Sequence, residues 1–133
     1  MPRATGTFDV KISPISTADD GRGTPPLGRF AIEKRFSGDL TGTSTGEMLS
    51  TGSPATGSAG YVAMERVKCT LAGRSGSFVF QHSATMHRGA NTLLIQVVPA
   101  SGTGDLASLA GTFAIIIEGG KHSYEFDYEL TTG

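Results

Sequence analysis

Cysteine is nearly absent. Cys69 stands alone, so no disulfide can close within the chain and no cysteine pair can hold a metal. A lone cysteine is expected to serve as a small, inert hydrophobe. Histidine is scarce as well. His82, His87 and His122 form no H-x-H or H-x-x-x-H pattern, and His82 and His87 would lie on opposite faces of a continuous strand. No metal and no other cofactor is expected. The charge excess is missing too: 11 Lys and Arg against 12 Asp and Glu give a net charge of -1, which supplies no attraction for nucleic acid or an anionic membrane. The apolar run at 114–117 is flanked by Thr112 and Glu118 and is far too short to span a bilayer. Met1-Pro2-Arg3-Ala4-Thr5 lacks the apolar stretch of a signal peptide, so a cytoplasmic location is expected. None of the many serines sits in a nucleophile elbow.

Helical periodicity is the last absence, and period-two alternation takes its place. Phe8, Val10 and Ile12 alternate with polar neighbours, as do Phe30, Ile32, Lys34 and Phe36. The same holds for Tyr61, Ala63, Glu65, Val67 and Cys69, for Phe78, Phe80 and His82, and for His122, Tyr124, Phe126, Tyr128 and Leu130. With further segments at 40–48, 93–98 and 112–118 this predicts about eight strands. Turn residues separate them: Gly73, Arg88-Gly89-Ala90-Asn91, Gly119-Gly120-Lys121, and the clusters around Asp20-Gly21 and Ser53-Pro54. One short helical stretch is expected at 105–109, capped by Thr103 or Asp105.

The 133 residues suit one domain with one core. Short antiparallel strands with one polar face suggest closure, which removes exposed edges; a two-sheet sandwich is the alternative. The predicted fold is therefore all-β, a single antiparallel eight-stranded barrel over residues 1–133 with one short helical turn. A barrel of this size holds side chains or one small ligand. The strands at 93–98 and 113–117 carry apolar residues on both faces and need cover from outside the sheet. Ile95, Val97, Ile115 and Ile117 point to a homo-oligomer or to a helix packed over them.

Parity places ionisable groups among the apolar ones. Lys34, Glu65, His82 and His122 share the inward face with Tyr61, Tyr124 and Tyr128. Buried charges must pair, so a Lys34–Glu65 pair reached by His82 is expected, with Glu65 as base and Lys34 and His82 as proton donors or charge stabilisers. A satisfied polar network that fixes strand register is the competing reading. Tyr61, Tyr124 and His122 would position a ligand between walls formed by Phe30, Phe36, Phe80 and Phe126. Gly38, Gly42 and Gly46 fall inward with Leu40, Ser44 and Met48, either leaving cavity volume or marking the bends of closure. Glu47 falls on the opposite, solvent side. Ser101-Gly102-Thr103-Gly104 resembles an anion-cradling loop but lacks a P-loop lysine; Ser101 and Thr103 are candidates for contact with a ligand at the barrel mouth.

Several stretches resemble a bacterial family of unknown function whose members adopt an allene oxide cyclase-like barrel. They are Phe36-Ser37-Gly38-Asp39-Leu40-Thr41-Gly42, Gly46-Glu47-Met48-Leu49, Tyr61-Val62-Ala63-Met64-Glu65-Arg66, residues 73–82 and 98–106, and His122-Ser123-Tyr124. The resemblance implies an eight-stranded antiparallel barrel and carries no reaction. Two functions follow as expectations. The first is a barrel that binds a small apolar molecule, as a candidate cofactor-free isomerase or cyclase using acid–base chemistry. The second is a non-catalytic structural or interaction protein with a filled barrel that oligomerises.

Overall fold

The computed structural model describes residues 2–19, 21–23, 25–53 and 57–131. The turn positions expected at Asp20 and at Pro54, Ala55 and Thr56 lie outside them. Eight strands follow one another: β1 (Arg3–Ala18), β2 (Leu27–Gly38), β3 (Leu40–Ser53), β4 (Ser58–Leu71), β5 (Arg74–His87), β6 (Ala90–Val97), β7 (Ala110–Glu118) and β8 (Lys121–Glu129). Each pairs antiparallel with the next, and β8 pairs with β1, closing the barrel. The expected helix is reduced to one 3-10 turn, Gly104–Leu106. Among the described residues no helix is long and apolar enough to cross a membrane.

Turn chemistry fixes the register. Ala72-Gly73, Arg88-Gly89 and Gly119-Gly120 all have positive φ and form two-residue connections. Such turns match the right-handed strand twist, and glycine enters that region without steric cost. Gly42 and Gly46 have a different role. A Cβ on Gly46 would strike the Met64 carbonyl, and one on Gly42 would lie 2.7 Å from the Cys69 Cα. These glycines let β3 and β4 approach closely along a tightly coiled wall.

The interior divides into two halves. At the end holding the β2–β3 and β4–β5 turns, Leu40, Leu71, Leu106 and Leu109 seal the barrel, and rings fill the space above them. Phe78 meets Phe80 edge-on at 4.8 Å, and Phe113 stacks on Tyr124 at 5.2 Å. The seal comes from the 98–109 segment, which is laced to β5 by side chains. Ser101 Oγ, Thr103 Oγ1 and Asp105 Oδ2 accept the N–H groups of Val79, Ser77 and Ser75 in turn. Alternate side chains thus replace the backbone partner that β6 would otherwise provide.

Tyr124 clips the same end together. Its hydroxyl accepts the Leu40 N–H at 2.9 Å and lies 2.9 Å from the Ser37 carbonyl and 3.0 Å from that of Leu40, to which it can donate. Tyr124→Phe should therefore cost about 1–3 kcal/mol, because it strands a buried N–H while leaving the ring in place. Denaturant melts check this; a change under about 0.5 kcal/mol would mean that the Leu40 N–H finds another partner.

Of the strands expected to be apolar on both faces, β6 is so, with Leu94 half exposed on its outer side. Ile95 and Val97 point into the core, Ile115 packs against it, and Ile117 stands at the open end. Ile95, Val97 and Ile115 are accounted for within one barrel, whereas Ile117 is 62% exposed. Further exposed apolar residues on the outer wall include Leu49, Val62, Met64 and Leu94.

Candidate functional site

Above the packed rings the barrel is hollow. The inward faces of β1 to β8 enclose a cavity of about 520 Å³. Phe8, Val10 and Ile12 climb one wall, Ile32 and Met48 the next, and Ile115 and Ile117 the side opposite. The alternation that makes each strand half-buried makes this lining apolar. Its ionisable residues are Lys34, Tyr61, His82 and His122; among the described residues no carboxylate lines it.

The floor carries an ionic network. Glu65, fully buried, accepts through one oxygen from Lys34 Nζ at 3.0 Å and His82 Nε2 at 2.7 Å. Its other oxygen accepts from Ser44 Oγ at 2.5 Å. The register explains how these groups meet. Lys34 pairs with Ser44 across β2 and β3, Gly46 pairs with Glu65 across β3 and β4, and Ala63 pairs with His82 across β4 and β5. Ser44 and His82 are thus diagonal neighbours of Glu65, within side-chain reach. Lys34 reaches it over Gly46, which has no side chain to intervene. The expected pair therefore forms along the wall, across one intervening strand, rather than across the barrel's diameter.

Electrostatics hold the carboxylate ionised. Burial alone would raise the Glu65 pKa. The hydrogen bond from His82, the Lys34 charge and the hydrogen bond from Ser44 outweigh it and hold the group at about 2. Every buried side-chain polar atom among the described residues has a partner. The Tyr61 hydroxyl is pushed up, first by burial and then by the Glu65 charge, so it stays protonated at neutral pH. The Cys69 thiol is pushed up to about 11 by burial, well away from thiolate chemistry.

The candidate residues separate into two groups. Lys34, His82, Tyr61 and His122 line the cavity, with Glu65 directly beneath. The Tyr61 ring lies 6.3 Å from that of His82, and His122 lies 5.3 Å from Phe8, over which Lys34 Nζ sits at 5.1 Å. Tyr124, Phe36, Phe80 and Phe126 belong to the packed half and do not line the cavity. Phe30, also read as wall, is likewise not part of the lining. Ser101 and Thr103 lie at the sealed end, their hydroxyls committed to β5, so they are remote from the mouth. Glu47 faces outward in an ion pair with Arg29 at 2.5 Å.

Ser44 was not singled out by the sequence, although its parity with Leu40 and Met48 already placed it inward. The apolar lining from Val10, Ile32 and Met48 was equally legible as inward-facing, whereas Leu93 lies in a stretch apolar on both faces. Nothing in the strand pattern says that these residues surround space while Phe78 and Phe80 surround rings. Among the described residues no group of three or more His, Cys, Asp or Glu side chains is placed to hold a metal.

Fold and site together define a closed eight-stranded antiparallel barrel, packed at one end and hollow at the other, with a buried ionic network between. The chain belongs to the family described as protein of unknown function (DUF3224), whose model matches residues 4–128. It is similar to a solved structure, a protein of unknown function from that family in Shewanella oneidensis MR-1. The two are 48% identical over 99% of each chain, with a TM-score of 0.92. No curated protein matches it.

Proposed function

We propose that this is a cytoplasmic small-molecule-binding barrel, allene oxide cyclase-like in architecture, whose chemistry is a cofactor-free isomerisation or cyclisation by acid–base steps. The cavity carries this reading. Its volume of about 520 Å³ lies within the range of small-ligand sites. Its walls are largely apolar, and Lys34 and His82 sit together on the floor, an arrangement that orients a ligand, while Ser50, Thr85, Asn91 and Thr92 add to the polar lining. The ligand is a small, largely apolar molecule that enters polar end first. Lys34 and His82 meet that end, while Tyr61 and His122 flank it. Glu65 holds Lys34 and His82 in place from below, a role that suits a fully buried carboxylate better than that of a base.

Titration with 8-anilino-1-naphthalenesulfonate, an apolar aromatic anion, tests the reading. One molecule should bind per chain. Ala84 lines the cavity, so Ala84→Trp should fill it and weaken binding by at least about tenfold, or 1.4 kcal/mol. Absence of binding, or binding that Ala84→Trp leaves untouched in a folded protein, removes the cavity as the site.

The second reading, an interaction protein that self-associates, draws on the outer wall. Leu49 and Val62 face each other across β3 and β4, with Met64 next to Val62, and all three are about half exposed. Clustered apolar side chains on an outer face are typical of association surfaces. Sedimentation of the wild type and Val62→Lys separates the readings: on this one a homo-oligomer forms and the charge dissociates it.

A further inference from the structure

We infer that His82 is the proton-transfer residue of the cavity, acting through Nδ1 on a carbon acid, with the Lys34 ammonium stabilising the oxygen that gains charge. The inference rests on the cavity being a ligand site and adds the substrate class: an enolisable ketone or aldehyde with an apolar body.

The geometry sets the tautomer. Glu65 is held as a carboxylate and can only accept, so the 2.7 Å contact requires the proton of neutral His82 to sit on Nε2. Nδ1 then carries the lone pair. No described group bonds it, and it is not sealed in as an unpaired buried atom; His82 lines the cavity. With no carboxylate in the lining, the basic lone pairs available to a ligand belong to the histidines. Among the described residues His122 has no carboxylate holding its tautomer, whereas His82 has Glu65. Lys34 carries three N–H donors and commits one to Glu65.

The step balances without a co-reactant. Nδ1 takes a proton from the carbon next to the carbonyl. The C–H pair forms the new C=C bond, and the carbonyl π pair moves onto oxygen beside Lys34. The Glu65 charge offsets the imidazolium formed, while the Lys34 ammonium offsets the enolate. Nδ1–H then returns the proton to the same carbon or to the conjugated one two atoms on, and the C=O bond re-forms. In a substrate with a β,γ double bond, return to the second position shifts that double bond; return to the first exchanges the α-hydrogen once Nδ1–H has swapped its proton with solvent water.

The test uses 2-tetralone in D2O, followed by proton NMR. Wild-type protein should exchange the α-hydrogens at least about 100-fold faster than His82→Gln, which should still bind the ketone. Glu65 acts through His82 and is a positioning residue, so its readout is the tautomer itself. Nitrogen-15 NMR should show His82 protonated on Nε2 in the wild type and should lose that preference in Glu65→Gln. The wild-type spectrum decides the question even if a variant fails to fold. An Nδ1–H tautomer, equal exchange in wild type and H82Q, or failure of 2-tetralone to bind where the naphthalenesulfonate does, overturns this inference alone. Failure of both probes to bind overturns the binding reading with it.

Discussion

Glu65→Leu should destabilise the barrel by about 3–5 kcal/mol, the cost of breaking a buried ion pair from one side. The loss falls near the top of that range because one carboxylate serves three donors. Its removal leaves Lys34, His82 and Ser44 without their acceptor at once. Lys34→Met should fall near the bottom, since Glu65 keeps its bonds from His82 and Ser44. The reverse asymmetry would follow if Lys34 were the linchpin. Lys34→Met combined with Glu65→Leu should cost less than the sum of the two, by about 1 kcal/mol or more, because neither charge is then left unpaired. Denaturant melts of the four proteins give the coupling directly. A value indistinguishable from zero would mean that the 3.0 Å contact contributes nothing in solution.

Acid should weaken the protein through the same group. The Glu65 carboxyl titrates at about 2 in the folded chain against an ordinary value of 4.5. Between those values the unfolded chain binds more protons than the folded one, so stability rises with pH there. The contribution is present in full above pH 4.5 and is lost as pH falls toward about 2, an amount of roughly 3 kcal/mol. Glu47 and Asp127 also titrate low, because Arg29 and Arg3 donate to them, but both are exposed and solvent screens their pairs. The comparison to make is wild type against Glu65→Gln at a series of pH values. The stability gap should be constant above pH 5 and should narrow as the pH falls below it. A gap that does not change with pH would show that Glu65 is not the group held ionised.

The barrel interior has two different halves. Phe78, Phe80, Phe113 and Phe126 fill one half; Phe8, Ile32 and Ile115 surround open space in the other. The boundary falls at the Glu65 network, so its groups face a packed, low-dielectric layer below and open space above. Its donors keep Glu65 ionised against the burial of that layer, while His82 and Lys34 also line the cavity. A network wholly inside the packed half could fix register and do nothing more.

Local periodicity made the strands readable, because in a half-buried strand the face of each side chain follows from its parity. Residues as far apart as Lys34, Glu65 and His82 were therefore assignable to the interior from the chain alone. So were Glu47 on the outside and the glycine turns at Gly73, Gly89 and Gly119. Strand ends were less readable. β1 runs through Ala18, past the point where Phe8–Ile12 alternation fades, because pairing with β2 rather than burial sustains it there. What parity cannot give is height along the barrel axis. Phe80 and His82 have the same parity, yet one is sealed under rings and the other borders the cavity. Height depends on register between strands, and register is set by turns, by Gly46 opposite Glu65 and by the seal of the 98–109 segment. In the alternating strands, sequence alone determined which side chains face inward; only the tertiary structure decided the facing of the doubly apolar β6 and β7, and which inward residues meet one another and which meet empty space, because those contacts join residues from different strands.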